Sequence, residues 1–454
     1  MQMFLSEIAR NVDGQLIGED LTISAVSINT RTLVAGDLFV AIKGQNFDAH
    51  RFVMKAYDFG AAAVIVDHEV DLEIPQVIVN DTQLALAQLA SAWKQKADVK
   101  TIAVTGSNGK TTVKEMIAAI LVCNAEVMST KGNLNNEIGV PLTLLTLQET
   151  HQFAVVEMGA NHAGEIAYSS QFTKPDVAVI TNVGDAHIEG FGSLAGTAKA
   201  KAEIIQGLTK DGVAVLNKDD DFYSMWRDIA AGKKIVSFGV DKDADIKAKN
   251  VISSVDEQKH FVTRFTLSTA NDEIDVSLKL AGKHNVSNAL AAAASCLSVN
   301  ITLPQIKKGL ESLFPVIGRL QPLVGQQGSL IIDDTYNANP SSVKAALDVL
   351  LQCEGEPWVV FGALGEMGLD SIKKHKEMGE LIKSMNVVRL LTFGSDAEST
   401  SNAFGKGATF FDSQQQLIDV LKQELTGCEA ILIKGSRAQK MENIAAALVA
   451  DFRK

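Results

Sequence analysis

The chain reads as an α/β protein of three domains: a small N-terminal α/β domain, a central parallel-sheet domain and a C-terminal Rossmann-like domain. Three observations lead there. At 454 residues it is too long for a single hydrophobic core. Its apolar runs are short, nearly continuous and spaced by helical stretches, as in strands buried on both faces of a parallel sheet. The alternation also changes character near residue 84 and restarts after Pro315 and Gly318, giving expected units 1–84, 85–314 and 315–454.

In the first unit, apolar runs at Thr22–Ser27, Asp37–Ile42, Ala62–Val66 and Gln76–Val79 read as strands, with helices at Phe4–Asn11 and Arg51–Phe59. Gly36-Asp37 and Lys43-Gly44 punctuate it as turns. A helix over Thr82–Lys96 opens the second unit. Strands follow at Thr101–Val104, Phe153–Glu157, Val177–Thr181, Val213–Leu216 and Lys234–Phe238. Residues 246–280 alternate polar and apolar, which predicts a small antiparallel addition, and helices Asn285–Leu297 and Leu303–Leu313 close the unit. The third unit repeats the pattern. Its strands are Leu330–Asp333, Trp358–Phe361, Val388–Phe393 and Ala430–Lys434; its helices are Ser341–Leu351, Ile372–Met385, Gln414–Leu425 and Lys440–Phe452. No phosphate-binding fingerprint follows its first strand, which argues against a dinucleotide role.

Composition narrows the function classes. Hydrophobic content of 46% with 21% charged residues is that of a globular chain, not a disordered one. A net charge of −12 argues against nucleic-acid binding, which needs excess basic surface. The four cysteines are far apart, so no zinc site or disulfide framework is expected and a reducing cytoplasm fits. The N-terminus lacks a basic-then-apolar signal pattern, and the run Ala289–Val299 is too short to span a bilayer. The expectation is a cytoplasmic protein with no membrane anchor, a monomer by default.

The most informative stretch is Val104-Thr105-Gly106-Ser107-Asn108-Gly109-Lys110-Thr111-Thr112. It follows a strand and opens a helix, so backbone N–H groups and the helix dipole converge where an anion can sit. Lys110 adds a cation for the outer phosphates, and the neighbouring hydroxyl suits Mg²⁺. The common P-loop places a glycine where Val104 stands; here the first glycine is Gly106. Nucleoside triphosphate binding is the reading, by Gly106, Ser107, Asn108, Gly109, Lys110, Thr111 and Thr112.

Ligands gather at the carboxyl ends of parallel strands. Glu157 closes one, and Asn182-Val183-Gly184-Asp185-Ala186-His187 follows another, so Glu157 and His187 are candidates for a second Mg²⁺. Lys199 and Lys201 lie two apart on a helix, where only one can face the site. Each alone reads as a solvated charge; Lys201, before Glu203 and Ile204-Ile205, is preferred. The asparagine-rich segment 131–141 suits either a substrate-facing loop or an Asx-rich turn, and Asn285 is a reasonable helix N-cap. Ile332-Asp333-Asp334-Thr335-Tyr336-Asn337-Ala338-Asn339-Pro340 places acids and amides at the end of the third unit's first strand. Lys434-Gly435-Ser436-Arg437 follows its last, where two cations suit a carboxylate.

Taken together and in this order, T-G-x-x-G-K-T-T, Glu157-Met158-Gly159, His187, G-x-H-N-x-x-N at 282–288, Gly318-Arg319 and the 333–340 cluster resemble the Mur ligase family of ATP-dependent amide-forming enzymes. The resemblance covers essentially the whole chain. Gly132–Pro141, Asp333–Pro340 and Lys434–Arg437 are similar to members that add D-alanyl-D-alanine to UDP-N-acetylmuramoyl-tripeptide through an acyl phosphate. The resemblance implies that ATP lies between the central, ATPase-like domain and the C-terminal one. Lys110 and the loop then hold the β- and γ-phosphates and Thr111 the first of two Mg²⁺ ions. Glu157 and His187 hold the metal nearer the acyl group, beside a carbamylated Lys201. Asn285 and Asn288 resemble adenine-side residues, Arg319 a γ-phosphate contact and Asp334 a ribose contact. Lys434, Ser436, Arg437, Asn337, Asn135 and Asn136 address the peptide substrates, and Thr30, Arg31 and Lys43 the uridine nucleotide. Two stretches depart from the family pattern: Asp48-Ala49 before His50, and Gly365-Glu366-Met367-Gly368. Rival readings are another amide ligase of the superfamily, including a folylpolyglutamate synthase, and a P-loop ATPase or kinase.

Overall fold

Continuous apolar runs give parallel strands in the computed structural model, which describes residues 1–44, 47–184, 188–256 and 258–450. The central sheet has nine strands. Edge to edge they are Glu273–Leu278, Phe261–Ser268, Ile246–Val255, Lys234–Gly239, Val213–Asn217, Val177–Ile180, Lys100–Thr105, Phe153–Glu157 and Val127–Ser129. The last seven strands in this order pair in parallel, and the expected antiparallel addition is present as the first three. Lys100–Thr105 lies between two strands whose ends align with its own: Glu157 pairs with Val104, and Ile180 with Thr105. Three carboxyl ends therefore open at one level. Val104 is fully buried within the strand, so the position where a common P-loop has glycine belongs here to the sheet.

The first sheet runs Gln15–Ile17, Gln76–Ile78, Ala63–Val66, Leu38–Val40 and Val26–Ser27. The predicted run Thr22–Ser27 is divided. Thr22–Ile23 pairs instead with Met3–Phe4 in a two-stranded ribbon, and only Val26–Ser27 joins the sheet. The helix predicted from Arg51 begins as a 3₁₀ turn, Ala49–Phe52, where Asp48 accepts the His50 N–H, and continues as Val53–Asp58. Helix Thr82–Ala97 is capped by Asp81, which accepts from the Gln83 and Leu84 amides at 2.9 Å. Its Leu86, Leu89 and Trp93 lie in one core with residues of both the first and central sheets.

The third sheet has the order Gln321–Val324, Leu330–Asp334, Glu429–Lys434, Glu356–Gly362, Arg389–Phe393 and Ala408–Phe411, parallel except for its first strand. Two strands, Gln321–Val324 and Ala408–Phe411, and helix Glu398–Phe404 were not anticipated. Insertion of the last strand, Glu429–Lys434, between Leu330–Asp334 and Glu356–Gly362 sets Asp334 directly opposite Lys434. Two predicted helix starts need correction, and one predicted helix changes pitch along its length. The helix expected from Asn285 begins at Lys283 with Gly282 as N-cap, so Asn285 sits in the first turn and caps nothing. The helix expected from Lys440 is Glu442–Leu448, because Lys440 holds a left-handed φ of 49°. The helix over Leu194–Gly207 tightens at Glu203 into a 3₁₀ turn.

Candidate active site

The loop after Lys100–Thr105 is fixed from the side by the adjacent strand's end. Ser107 N–H donates to the Asn182 carbonyl (2.9 Å) and Asn108 N–H to Asn182 Oδ1 (3.0 Å). The Asn108 carbonyl accepts from Thr181 Oγ1 (2.6 Å) and Asn182 Nδ2 (3.1 Å). Two glycines are required by space as much as by backbone angle. A Cβ on Gly106 would stand 1.9 Å from Thr181 Oγ1, and one on Gly109, at φ 81°, would stand 2.4 Å from Asn288 Oδ1. Lys110 opens helix Lys110–Val122 and folds back, donating to the Gly106 carbonyl at 2.8 Å.

The loop floors a cavity of about 630 Å³ that gathers most of the predicted residues. Ser107 through Thr112, Asn135, Asn136, Glu157, Asn285, Asn288, Arg319, Asp334, Asn337 and Lys434 line it. Its chemistry is set by groups left unanswered. Glu157 is buried; its Oε1 accepts from Asn135 Nδ2 at 2.8 Å, while Oε2 has no partner among the described residues. Arg319 donates from Nη2 to Thr111 Oγ1 (3.2 Å) and stacks 4.2 Å over the Tyr336 ring, yet its buried Nε–H is also unanswered. A bare carboxylate oxygen calls for a cation and a bare guanidinium N–H for an anion. Burial pulls the Lys110 ammonium below its usual range, with Arg319 adding to the shift and Glu157 opposing it.

Asn135 and Asn136 also do structural work. Asn135 orients Glu157, and Asn136 Oδ1 accepts the Gly139 N–H at the start of the next helix. Asn285 and Asn288 are buried and joined by a 3.1 Å hydrogen bond. Asp334 Oδ2 accepts from Lys434 Nζ at 2.5 Å, and its Oδ1 holds the Leu320 N–H. Beside this pair, burial lowers the His284 imidazole to about 4, helped by Lys434 and opposed by Asp334.

Other predicted residues stand apart. Gly106 lies under the loop and does not line the cavity. Lys201 is 1% exposed and does not line the cavity, with its Nζ 5.1 Å over the Phe191 ring, whereas Lys199 is exposed. Burial and the Lys110 cation bring the Lys201 ammonium down to about 7, against Glu165 and Glu203. Ser436 Oγ donates to the Ala363 carbonyl (2.7 Å), and the exposed Arg437 pairs with Glu442 (3.1 Å). Thr30, Arg31 and Lys43 belong to the first unit away from the cavity, where Lys43 pairs with Asp67 at 2.8 Å. His187 lies outside the described residues. Sequence reasoning did not select Asn182, Tyr336, Asn339 or Ser341; the first three were inside stretches already singled out, but nothing local distinguishes them from their neighbours.

Comparison with known proteins places this geometry. Residues 104–296 match the Mur ligase middle domain, 318–437 the Mur ligase glutamate ligase domain, and 22–121 the Mur ligase family catalytic domain. The UDP-N-acetylmuramoyl-tripeptide–D-alanyl-D-alanine ligase of Escherichia coli is 43% identical over 447 residues, covering 98% of each chain. A crystal structure of MurF from Acinetobacter baumannii superposes with a TM-score of 0.92 at 36% identity, covering 98% of each chain. MurF from Thermotoga maritima in complex with ADP superposes at 0.84 with 29% identity, covering 93% of this chain and 96% of that one. With relatives this similar over nearly its full length, the chain belongs to the Mur ligase family.

Proposed function

We propose that the chain is an ATP-dependent ligase that joins D-alanyl-D-alanine to the terminal carboxylate of UDP-N-acetylmuramoyl-tripeptide, a step of peptidoglycan precursor synthesis. The observation that carries the reading is the cavity beside the glycine-rich loop, where a buried carboxylate oxygen and a buried guanidinium N–H both lack partners among the described residues. Full-length similarity to ligases named for these substrates supports the substrate assignment.

ATP spans the loop and the third unit. Gly106–Thr112 supply backbone N–H groups, Lys110 and Arg319 charge for the outer phosphates, Asn285 and Asn288 the adenine side, and Asp334 the ribose. The donor set fits Mg²⁺: Thr111 Oγ1 and Glu157 Oε2 are hard oxygens on one cavity, and His187 is proposed as a further ligand. Mg²⁺ held by these residues, at the two sites proposed, would supply charge neutralisation of the phosphate oxygens. Lys201, buried and near neutrality, suits carbamylation, in which the free amine takes up CO₂ and releases a proton.

The tripeptide carboxylate attacks the γ-phosphorus, the bridging bond breaks and ADP leaves. Lys110 and Arg319 screen the repulsion between these anions. The dipeptide amine then attacks the acyl carbon, loses a proton and expels phosphate. Lys434, Asn337, Ser436 and Arg437 address peptide carboxylates from the third unit, and Asn135 and Asn136 border the acyl side. Thr30, Arg31 and Lys43 hold the uridine nucleotide on the first unit. The division 1–84, 85–314 and 315–454 puts the uridine nucleotide on the first unit and ATP with the reacting peptide groups between the other two. Among the described residues no helix is long and apolar enough to cross a membrane. A cytoplasmic monomer is the proposed state.

The test measures phosphate released from ATP with UDP-N-acetylmuramoyl-tripeptide, with and without D-alanyl-D-alanine. Release that needs the dipeptide and equals the amide formed supports the reading. Dipeptide-independent release points to an ATPase or kinase, and dependence on a different amine to another ligase of the superfamily.

A further inference from the structure

One side chain of the nucleotide loop is held from across the cleft. Asn108 Nδ2 donates to Ser341 Oγ at 3.0 Å, Ser341 Oγ donates to Asn339 Oδ1 at 2.9 Å, and Asn339 Nδ2 donates back to Asn108 Oδ1 at 2.8 Å. The ring is closed, and all of its side-chain oxygens and nitrogens are used within it. Two of its three hydrogen bonds join residues more than 230 positions apart. Asn339 is also the N-cap of helix Pro340–Leu350, accepting the Ser342 N–H at 2.8 Å, so this end of the ring is anchored to a rigid element. The approach is close: a Cβ on Gly184 would stand 2.6 Å from Ser341 Oγ and 3.1 Å from Asn108 Nδ2.

The backbone of Asn108 is fixed by Thr181 and Asn182 of the central sheet, so only its side chain reports on the third unit. We infer that Asn339 and Ser341 are positioning residues: through Asn108 they latch the third unit onto the loop, so that phosphoryl transfer and amine attack proceed in a closed cleft. This inference rests on the ligase reading above. Neither residue reacts. Their contribution is to keep water from the acyl phosphate until the amine arrives, since an opened cleft lets water attack the acyl carbon, expelling phosphate and returning the carboxylate.

The test uses the full chain with Asn339→Ser, which keeps a capping oxygen but is too short to reach Asn108, and Ser341→Ala, which keeps the cap intact. Ser341→Thr restores the hydroxyl. The expected result for the first two is amide formation slowed about tenfold, the scale of one lost hydrogen bond. ADP affinity should stay within about twofold, because the loop's phosphate contacts remain. More than one phosphate should be released per amide formed, and Ser341→Thr should return that ratio toward one. ADP affinity falling in step with the rate would make these residues direct nucleotide contacts and overturn the latch. Unchanged rates, or slower rates with the ratio still at one, would overturn it too. Dipeptide-dependent phosphate release by the unaltered protein is measured alongside, so failure of the ligase reading is seen separately from failure of the latch.

Discussion

The two walls of the cavity are built in different ways. On the central-sheet side the loop's course is set by backbone hydrogen bonds to Asn182 and by glycines that leave no space for a side chain. On the third-unit side the wall is made of side chains: the Lys434–Asp334 pair, Tyr336 beneath Arg319, and Lys434 Nζ on the Asn337 carbonyl at 2.9 Å. One wall is organised around nine consecutive residues, braced by the end of the neighbouring strand. The other exists only after strands 100 residues apart in sequence have become neighbours. The first wall should therefore fail sharply under small changes and the second by degrees.

The largest effect is expected at Lys110. Lys110→Ala removes the loop's own cation and should lower turnover about 10²–10³-fold, with an unchanged melting temperature separating the loss from misfolding. A variant within tenfold of the unaltered rate would leave the loop wall without its main electrostatic role. Next comes a pair of glycines, one on each side. Gly109→Ala forces a Cβ to 2.4 Å from Asn288 Oδ1 at φ 81°, whereas Gly318→Ala at φ 71° meets Thr335 Oγ1 and the Tyr336 amide nitrogen at 3.3 Å. Calorimetric titration with ADP should show affinity reduced about tenfold or more for the first, from left-handed strain plus the clash, and distinctly less for the second. The reverse order would erase the distinction between the walls.

This contrast also governs what was legible in the sequence. Gly106, Gly109 and Lys110 could be picked out because their spacing, strand before and helix after, is a local constraint on a backbone. Asp334 and Lys434 stand in separate sequence clusters, but their pairing depends on the last strand being inserted beside Leu330–Asp334, which no local pattern encodes. Long apolar strands were seen to within a residue or two. Val127–Ser129 and Gln321–Val324 escaped because three- or four-residue edge strands carry too little periodicity. The run Thr22–Ser27 looked like one strand because hydropathy does not say that its halves join different sheets. The preference for Lys201 over Lys199 rested on its apolar neighbours, Ile204 and Ile205, and burial follows that side of the helix.

Lys201 offers an intermediate effect that depends on pH. Its ammonium is lowered to about 7 by burial, so above that the folded protein holds a free amine while an unfolded chain keeps the proton up to the ordinary lysine range. The unfolded state thus binds more protons between about pH 7 and that range, and stability should rise with pH across this window. Lys201→Met should abolish that rise in denaturant titrations. In CO₂-depleted buffer, activity should fall severalfold and recover with bicarbonate at pH 8 more fully than at pH 6, while Lys199→Ala behaves as the unaltered protein. Activity indifferent to bicarbonate at both values would remove the carbamate from the mechanism and leave Lys201 as a buried structural amine.

The smallest effect belongs to Tyr336, on the side-chain wall. Its ring lies 4.2 Å from the Arg319 guanidinium and 5.8 Å from that of Arg437, and its N–H donates to the Gly318 carbonyl at 3.1 Å. The backbone bond survives any substitution, so only the ring's contribution is at stake. A guanidinium over an aromatic face at a partly exposed site is worth about 0.5–1 kcal/mol, or two- to fivefold in an equilibrium. Tyr336→Leu should raise the KM for ATP by about that factor with little change in kcat, since Arg319 loses its platform but keeps Thr111 at 3.2 Å. Tyr336→Phe keeps the π face and should leave KM unchanged. If Phe were as impaired as Leu, the hydroxyl rather than the ring would be the active part, and the third-unit wall would be contacting substrate there instead of supporting Arg319.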